Sequence, residues 1–136
     1  MKRILVVGAG GQIGTELVPH LQKVYGEDNV IAADLKPEMV KKLSTFSKAI
    51  SLDALNFEEY NKVVKDNNID GIYNLVALLS ATGEKNPQLA WNINMGALLN
   101  SLNIAKDSKT ALFTPSSIGA FGENTPHYKT PQDTIM

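Results

Sequence analysis

Cysteine is missing from all 136 residues, which rules out a disulfide framework and a thiolate metal site. An excess of either charge is missing too: 13 lysines and arginines against 14 aspartates and glutamates leave a formal net charge of -1. A chain that grips a polyanion carries a basic excess, so nucleic acid is not an expected partner. Long apolar runs are also lacking. The opening Met1, Lys2, Arg3 and the aliphatic residues after them imitate a signal peptide, but the apolar stretch stops at Gly8, short of an h-region. Nothing later approaches the roughly 18 apolar residues of a membrane span. No membrane segment, no metal and a cytoplasmic location are therefore the expectations. What the chain does have is 43% hydrophobic residues, enough for one domain that buries roughly two-thirds of the surface its unfolded form exposes.

The densest signal lies in residues 2–14. An aliphatic run, Ile4 to Val7, breaks into the glycines Gly8, Gly10, Gly11 and Gly14, and the residues from Gln12 to about Tyr25 have helical patterning. Strand, tight turn and helix follow in that order. Gly8 lets the chain turn off the strand, Gly11 lets backbone approach a ligand, and Gly14 lets the helix pack closely on the sheet. The helix starts with free N–H groups, those of Gln12 and Ile13 among them, and with the positive end of its dipole facing whatever lies over the turn. A pyrophosphate suits that position.

A dinucleotide site also needs an acid about twenty residues further on, at the end of the second strand, to accept hydrogen bonds from the adenosine ribose. Asp34 closes the apolar run Val30, Ile31, Ala32, Ala33, twenty residues after Gly14, with Leu35 next to it. An acid here repels a 2'-phosphate, so NAD is expected rather than NADP. Lys36 is the one nearby residue of opposite tendency.

The rest of the chain alternates strand and helix. On the first helix Ile13, Leu17, Leu21 and Val24 are spaced to face the sheet; Pro19 interrupts it, His20 falls on a solvated face, and Gly26 ends it. A short helix is expected over 37–43, a brief strand over 48–52, a helix over 57–66 with Tyr60, Val63 and Val64 inward, and a fully apolar strand over 71–77. Asp53, read by itself, is either an acid facing a ligand or a cap for the next helix. At the switch point of an open parallel sheet, Leu75 and Ala77 fall beside the ligand. Residues 78–86 read as a loop on that face, where Ser80 can bond a small polar substrate. A helix over 87–106 carries Leu89, Trp91, Ile93, Met95, Leu98, Leu99, Leu102 and Ala105 on more than one face, so more than its own sheet covers it. A fifth strand spans 109–114.

The glycine spacing decides between two kinds of nucleotide fold. Gly8-x-Gly10 lacks its third glycine, since position 13 is Ile13, whereas Gly8-x-x-Gly11-x-x-Gly14 is complete. This resembles the short-chain dehydrogenase/reductase superfamily, in particular its extended branch of epimerases, dehydratases and dehydrogenases, apart from Val7 where that branch usually has threonine. The resemblance implies an α/β fold, a Rossmann-type doubly wound parallel sheet with five of its strands present. Residues 1–122 would form an incomplete NAD-binding domain, and 123–136 a loop leading to a catalytic helix.

The resemblance further implies that Asp53, with the backbone of Ala54, faces adenine. Asn74-Leu75-Val76-Ala77 resembles the family's His-Leu-Ala-Ala, and Asn92-Ile-Asn94-Met-Gly96 its Asn-Val-x-Gly; there the asparagine, here Asn94, holds a water leading to the catalytic lysine. Pro115-Ser116-Ser117 with Phe121-Gly122 resembles Ser-Ser-x-x-x-Tyr-Gly, with Ser116 against the nicotinamide ribose and Ser117 as the catalytic hydroxyl. Gly11 to Leu17, Leu79 to Lys85 and Pro115 to Gly122 together are similar to the short-chain type of L-threonine 3-dehydrogenases, which implies an amino-acid substrate contacted by Ser80 and Ser117.

That superfamily takes the hydroxyl proton with a tyrosine helped by a lysine four residues on. Here Tyr25, Tyr60, Tyr73 and Tyr128 are followed at that spacing by Asn29, Val64, Ala77 and Gln132. The sequence thus reads as the N-terminal half of such an enzyme, homodimeric when full length, with Leu112 and Phe113 on a strand that the rest would cover. A nucleotide-sugar epimerase or dehydratase, and a stand-alone dinucleotide-binding module, are the alternative readings.

Overall fold

The structure is a computed structural model that describes residues 2–78, 80–116, 122, 125–126 and 128–130. Strand β1 (Ile4–Val7) leads through the glycine turn into helix α1 (Gln12–Tyr25). Gly26, at φ 93°, closes that helix, and a 3-10 turn at Glu27–Asn29 feeds β2 (Val30–Asp34). Then follow α2 (Pro37–Leu43), β3 (Lys48–Ser51), α3 (Phe57–Asp66), β4 (Gly71–Asn74), α4 (Ser80–Gly83), α5 (Pro87–Ser108) and β5 (Ala111–Phe113).

All five strands are parallel, in the order β3-β2-β1-β4-β5. The chain starts in the middle, winds outward to β3, then crosses back to the other side of β1. Period-two alternation assigns the side chains of β1 to two layers. Leu5 and Val7 pack with Tyr60, Val64, Ala97 and Ile104 of α3 and α5, while Ile4 and Val6 pack with Val18, Leu21 and Leu43 of α1 and α2. Helices on both faces of a parallel sheet that reverses direction at its first strand make this a doubly wound, Rossmann-type α/β fold.

Several local expectations need correction. The sheet-facing stripe of α1 is Gly14, Val18 and Leu21, whereas Ile13 and Val24 are 62% and 61% exposed. The closest approach to the sheet sets the helix's rotation: a Cβ at Gly14 would lie 2.6 Å from the Ala9 Cα, so the face without a side chain turns inward. Helix α1 runs on through Pro19. Strand β4 stops at Asn74 rather than at 77, although the Leu75 N–H still bonds the Val7 carbonyl at 2.8 Å. The expected loop over 78–86 contains the short α4. On α5 the inward residues are the small Ala97, Ser101 and Ala105 with Ile104, while Leu89, Trp91, Leu99 and Leu102 are exposed. Strand β5 is three residues long, with Phe113 exposed at the sheet edge beside Tyr73. Among the described residues no helix is long and apolar enough to cross a membrane, and no cluster of His, Asp and Glu could hold a metal.

Candidate functional site

At the carboxyl ends of β1, β2, β3 and β4 lies a cleft of about 350 Å³. Its lining draws on the connections after β1, β2, β3 and β4: Gly8, Gly10 and Gly11; Asp34, Leu35 and Lys36; Asp53 and Ala54; Leu75 and Ala77. An open α/β sheet binds ligands at this crevice because crossovers to opposite faces leave a gap there.

Gly8 sits at φ 76°, and a Cβ on it would lie 3.0 Å from the Leu75 carbonyl carbon and the Val76 amide nitrogen. Gly8 and Gly14 are thus required by the protein's own geometry. Gly11 is not: it has φ -71°, and a Cβ there would meet nothing nearer than the Gly8 carbonyl oxygen at 3.5 Å. As N-cap of α1 it supplies no side chain, and the first turn has no acid. An uncapped helix start with bare backbone in front suits an anion, and the nearest contact a Cβ would make does not by itself demand glycine here.

Asp34 connects this turn to the second strand. Its Oδ2 accepts from the Gly10 N–H at 2.9 Å and its Oδ1 from the Lys36 N–H at 3.0 Å. Each carboxylate oxygen keeps a lone pair for a further donor, as the hydroxyls of a ribose would supply. Gly10, outside the complete fingerprint, has its own reason for being glycine: a Cβ there would come within 2.5 Å of Met39 Cβ and 2.8 Å of Asp34 Oδ2. Spacing alone could not show this, because Met39 arrives from a different helix.

The turn after β3 forms the far wall. Asp53 Oδ1 accepts from the Leu55 N–H at 2.9 Å, and Asn56, not Asp53, caps α3 by accepting from the Glu59 N–H. The capping reading of Asp53 is therefore replaced by an Asx turn that leaves its Oδ2 without a partner among the described residues. Val7, Met39, Leu52, Leu55, Val76 and Ile93 complete the walls; sequence reasoning did not place them there, since they are apolar residues whose patterning signals only burial.

Among the described residues, the other expected site residues do not line the cleft. Gln12 and Ile13 open α1 with exposed side chains, and Gly14 is buried against Ala9. Asn94 has its amide committed to the backbone of Leu78, with Oδ1 accepting from the N–H at 2.7 Å and Nδ2 donating to the carbonyl at 3.3 Å. It borders a second, shallower hollow with Glu84, Trp91 and Met95. Ser116 is exposed just past β5, Ser80 begins α4, and Ser117 and Phe121 lie outside the described residues.

Known proteins resemble the chain that builds this cleft. The NAD dependent epimerase/dehydratase family matches residues 4–135. A curated relative from Staphylococcus haemolyticus, described as an uncharacterized epimerase/dehydratase, is 48% identical over 137 residues, covering 100% of this chain and 43% of the relative. The solved L-threonine dehydrogenase of Clostridium difficile superposes with a TM-score of 0.91 at 44% identity, over 99% of this chain and 42% of that one. The GalE-like L-threonine dehydrogenase of Cupriavidus necator in its holo form gives 0.89 at 46%, over 98% and 43%. The chain spans less than half the length of each. It belongs to the NAD dependent epimerase/dehydratase family.

Proposed function

We propose that this chain is the NAD-binding part of an oxidoreductase that converts the 3-hydroxyl of L-threonine to the ketone of 2-amino-3-ketobutyrate. One observation carries the cofactor reading: the unconstrained Gly11 at an uncapped helix start opens on the same cleft as Asp34 and Asp53. In that cleft Gly11 would take the pyrophosphate over its bare backbone, Asp34 would hold the adenosine ribose, and the turn at Asp53 and Ala54 would hold the base. Leu75 and Ala77 would border the nicotinamide side, with Ser116 at its ribose. NAD held there would supply the hydride acceptor. The chain's own residues hold and orient it: backbone N–H groups of α1 neutralise phosphate charge, and Asp34 repels a 2'-phosphate.

The threonine assignment is supported by likeness to the two solved L-threonine dehydrogenases, at 44% and 46% identity. Ser80 and Ser117 are the residues we assign to substrate contact, Ser117 and Asn94 those to the catalytic surroundings. With this goes a homodimer in which the exposed Leu99 and Leu102 of α5 are covered. Because no tyrosine of these 136 residues has a lysine four positions on, turnover needs a base from elsewhere.

The test has two parts. Calorimetric titration of NAD and NADP into the chain is expected to show NAD binding and much weaker NADP binding; no binding of either overturns the proposal. The native gene product is then expected to form NADH with L-threonine. The curated relative's description as an epimerase/dehydratase favours a second reading. Under it, the native gene product instead interconverts or dehydrates a nucleotide sugar and leaves threonine untouched.

A further inference from the structure

Asn100 lies outside the cleft, yet it holds the cleft's far wall. It stands on α5 seven residues after Ile93 and four after Gly96, so the three share one helix face. Each meets the turn after β3 or the space beside it. Ile93 lines the cleft. Gly96 makes room for Leu55: a Cβ there would lie 2.8 Å from Leu55 Cδ2. Asn100 Nδ2 donates to the Ala54 carbonyl at 2.9 Å, across 46 residues of sequence.

The turn is held by four hydrogen bonds. The Leu52 N–H bonds the Asp34 carbonyl at 3.1 Å, the Asp53 carboxylate bonds the Leu55 N–H, and the Asn56 N–H bonds the Asp53 carbonyl at 3.0 Å. These three set the turn's start and its internal shape. The fourth, from Asn100, sets how the turn is seated against α5. Ala54 is 5% exposed, and Asn100 is the donor its carbonyl has among the described residues. A part-buried carbonyl shifts toward another donor when its own is removed. Any shift of Ala54 moves Asp53, the residue before it.

We propose that Asn100 is a positioning residue for base recognition: by holding the Ala54 carbonyl it aims the free Asp53 Oδ2 as an acceptor for the exocyclic amine of adenine. The inference rests on reading the cleft as a dinucleotide site and adds what sets its base selectivity. A fixed carboxylate acceptor favours a base with a donor amine over one with a carbonyl oxygen at the same place, because two acceptors repel. Hypoxanthine differs from adenine in this way. Preference for NAD over nicotinamide hypoxanthine dinucleotide therefore depends on Asn100, although Asn100 touches neither.

The experiment titrates both dinucleotides calorimetrically into the chain, into Asn100→Ala and into the near-isosteric Asn100→Asp, which keeps the shape should the alanine variant fail to fold. The unaltered chain is expected to favour NAD by about tenfold, the scale of one discriminating hydrogen bond. In the variants that ratio is expected to fall toward one through weaker NAD binding, with the hypoxanthine compound little changed. Equal weakening of both compounds, or an unchanged ratio, overturns the positioning role and leaves the cofactor reading standing. An unaltered chain that binds NAD without preference also overturns it. Failure of the unaltered chain to bind either compound overturns the cofactor reading and this inference together.

Discussion

The Gly10 amide donates to Asp34 Oδ2 across 2.9 Å, so the glycine turn and the acid at the end of β2 are one hydrogen-bonded unit. Lys36 closes it from the other side through its own N–H. The carboxylate's direction is therefore set by backbone, and a change at Asp34 reaches both ends of the site.

Asp34→Asn replaces one of two acceptors with an amide NH2 that faces a backbone donor. NAD affinity is expected to fall about 10- to 100-fold, the range for hydrogen bonds to a charged group. The ratio of NADP to NAD affinity is expected to rise, because the charge that repels a 2'-phosphate is gone. Parallel titrations with the two coenzymes check this.

Gly11→Ala and Gly14→Ala separate binding from folding. At Gly11 the protein leaves room for a methyl, so the stability loss is expected to stay within about 1 kcal/mol, the scale of a changed N-cap, while NAD affinity drops at least about tenfold. At Gly14 the methyl collides with the Ala9 backbone, and a stability loss of about 1–3 kcal/mol or more is expected. Urea unfolding and calorimetry on both variants would give the same pattern for each if Gly11 were merely structural.

Tyr60 makes stability depend on alkaline pH. Burial pushes its phenol from 10.0 to about 12, opposed by the hydrogen bond with Ser101 at 3.2 Å. The unfolded chain loses this proton first, so between pH 10 and 12 the native state binds more protons and stability falls as pH rises. The full contribution, about 2–3 kcal/mol for a shift of this size, is present below pH 10 and lost by about 12. Denaturant midpoints followed from pH 9 upward should decline less steeply in Tyr60→Phe. Equal slopes would remove Tyr60 as the cause.

Leu99 and Leu102 lie on the outward face of α5, 53% and 47% exposed. In the native gene product Leu99→Glu with Leu102→Glu is expected to convert a dimer to monomer in sedimentation, since two carboxylates would have to be buried. A dimer that survives the pair of changes places its interface elsewhere.

Local sequence patterns sufficed for the order of the five strands and of every helix but the short α4, for the parallel sheet and for the line from glycine turn to strand-end acid. Ile4–Val7, Gln12–Tyr25, Pro37–Leu43 and Phe57–Asp66 are read directly from local patterning, because turn glycines, apolar period and the asparagines after α3 act within a few residues. Asp34 was legible for the same reason: a fixed crossover length puts it there.

Tertiary structure alone decided what depends on contacts between distant segments. The rotation of α1 follows from Gly14 against Ala9 and not from its largest side chains. That Gly10 must be glycine depends on Met39 and Asp34, and the seat of the Asp53 turn depends on Gly96 and Asn100, more than 40 residues away. A helical asparagine has no local feature that distinguishes a solvated amide from one that satisfies a buried carbonyl on another element. Periodicity records which side of an element is apolar; close packing decides which atoms meet, and those meetings shape the wall of the cleft.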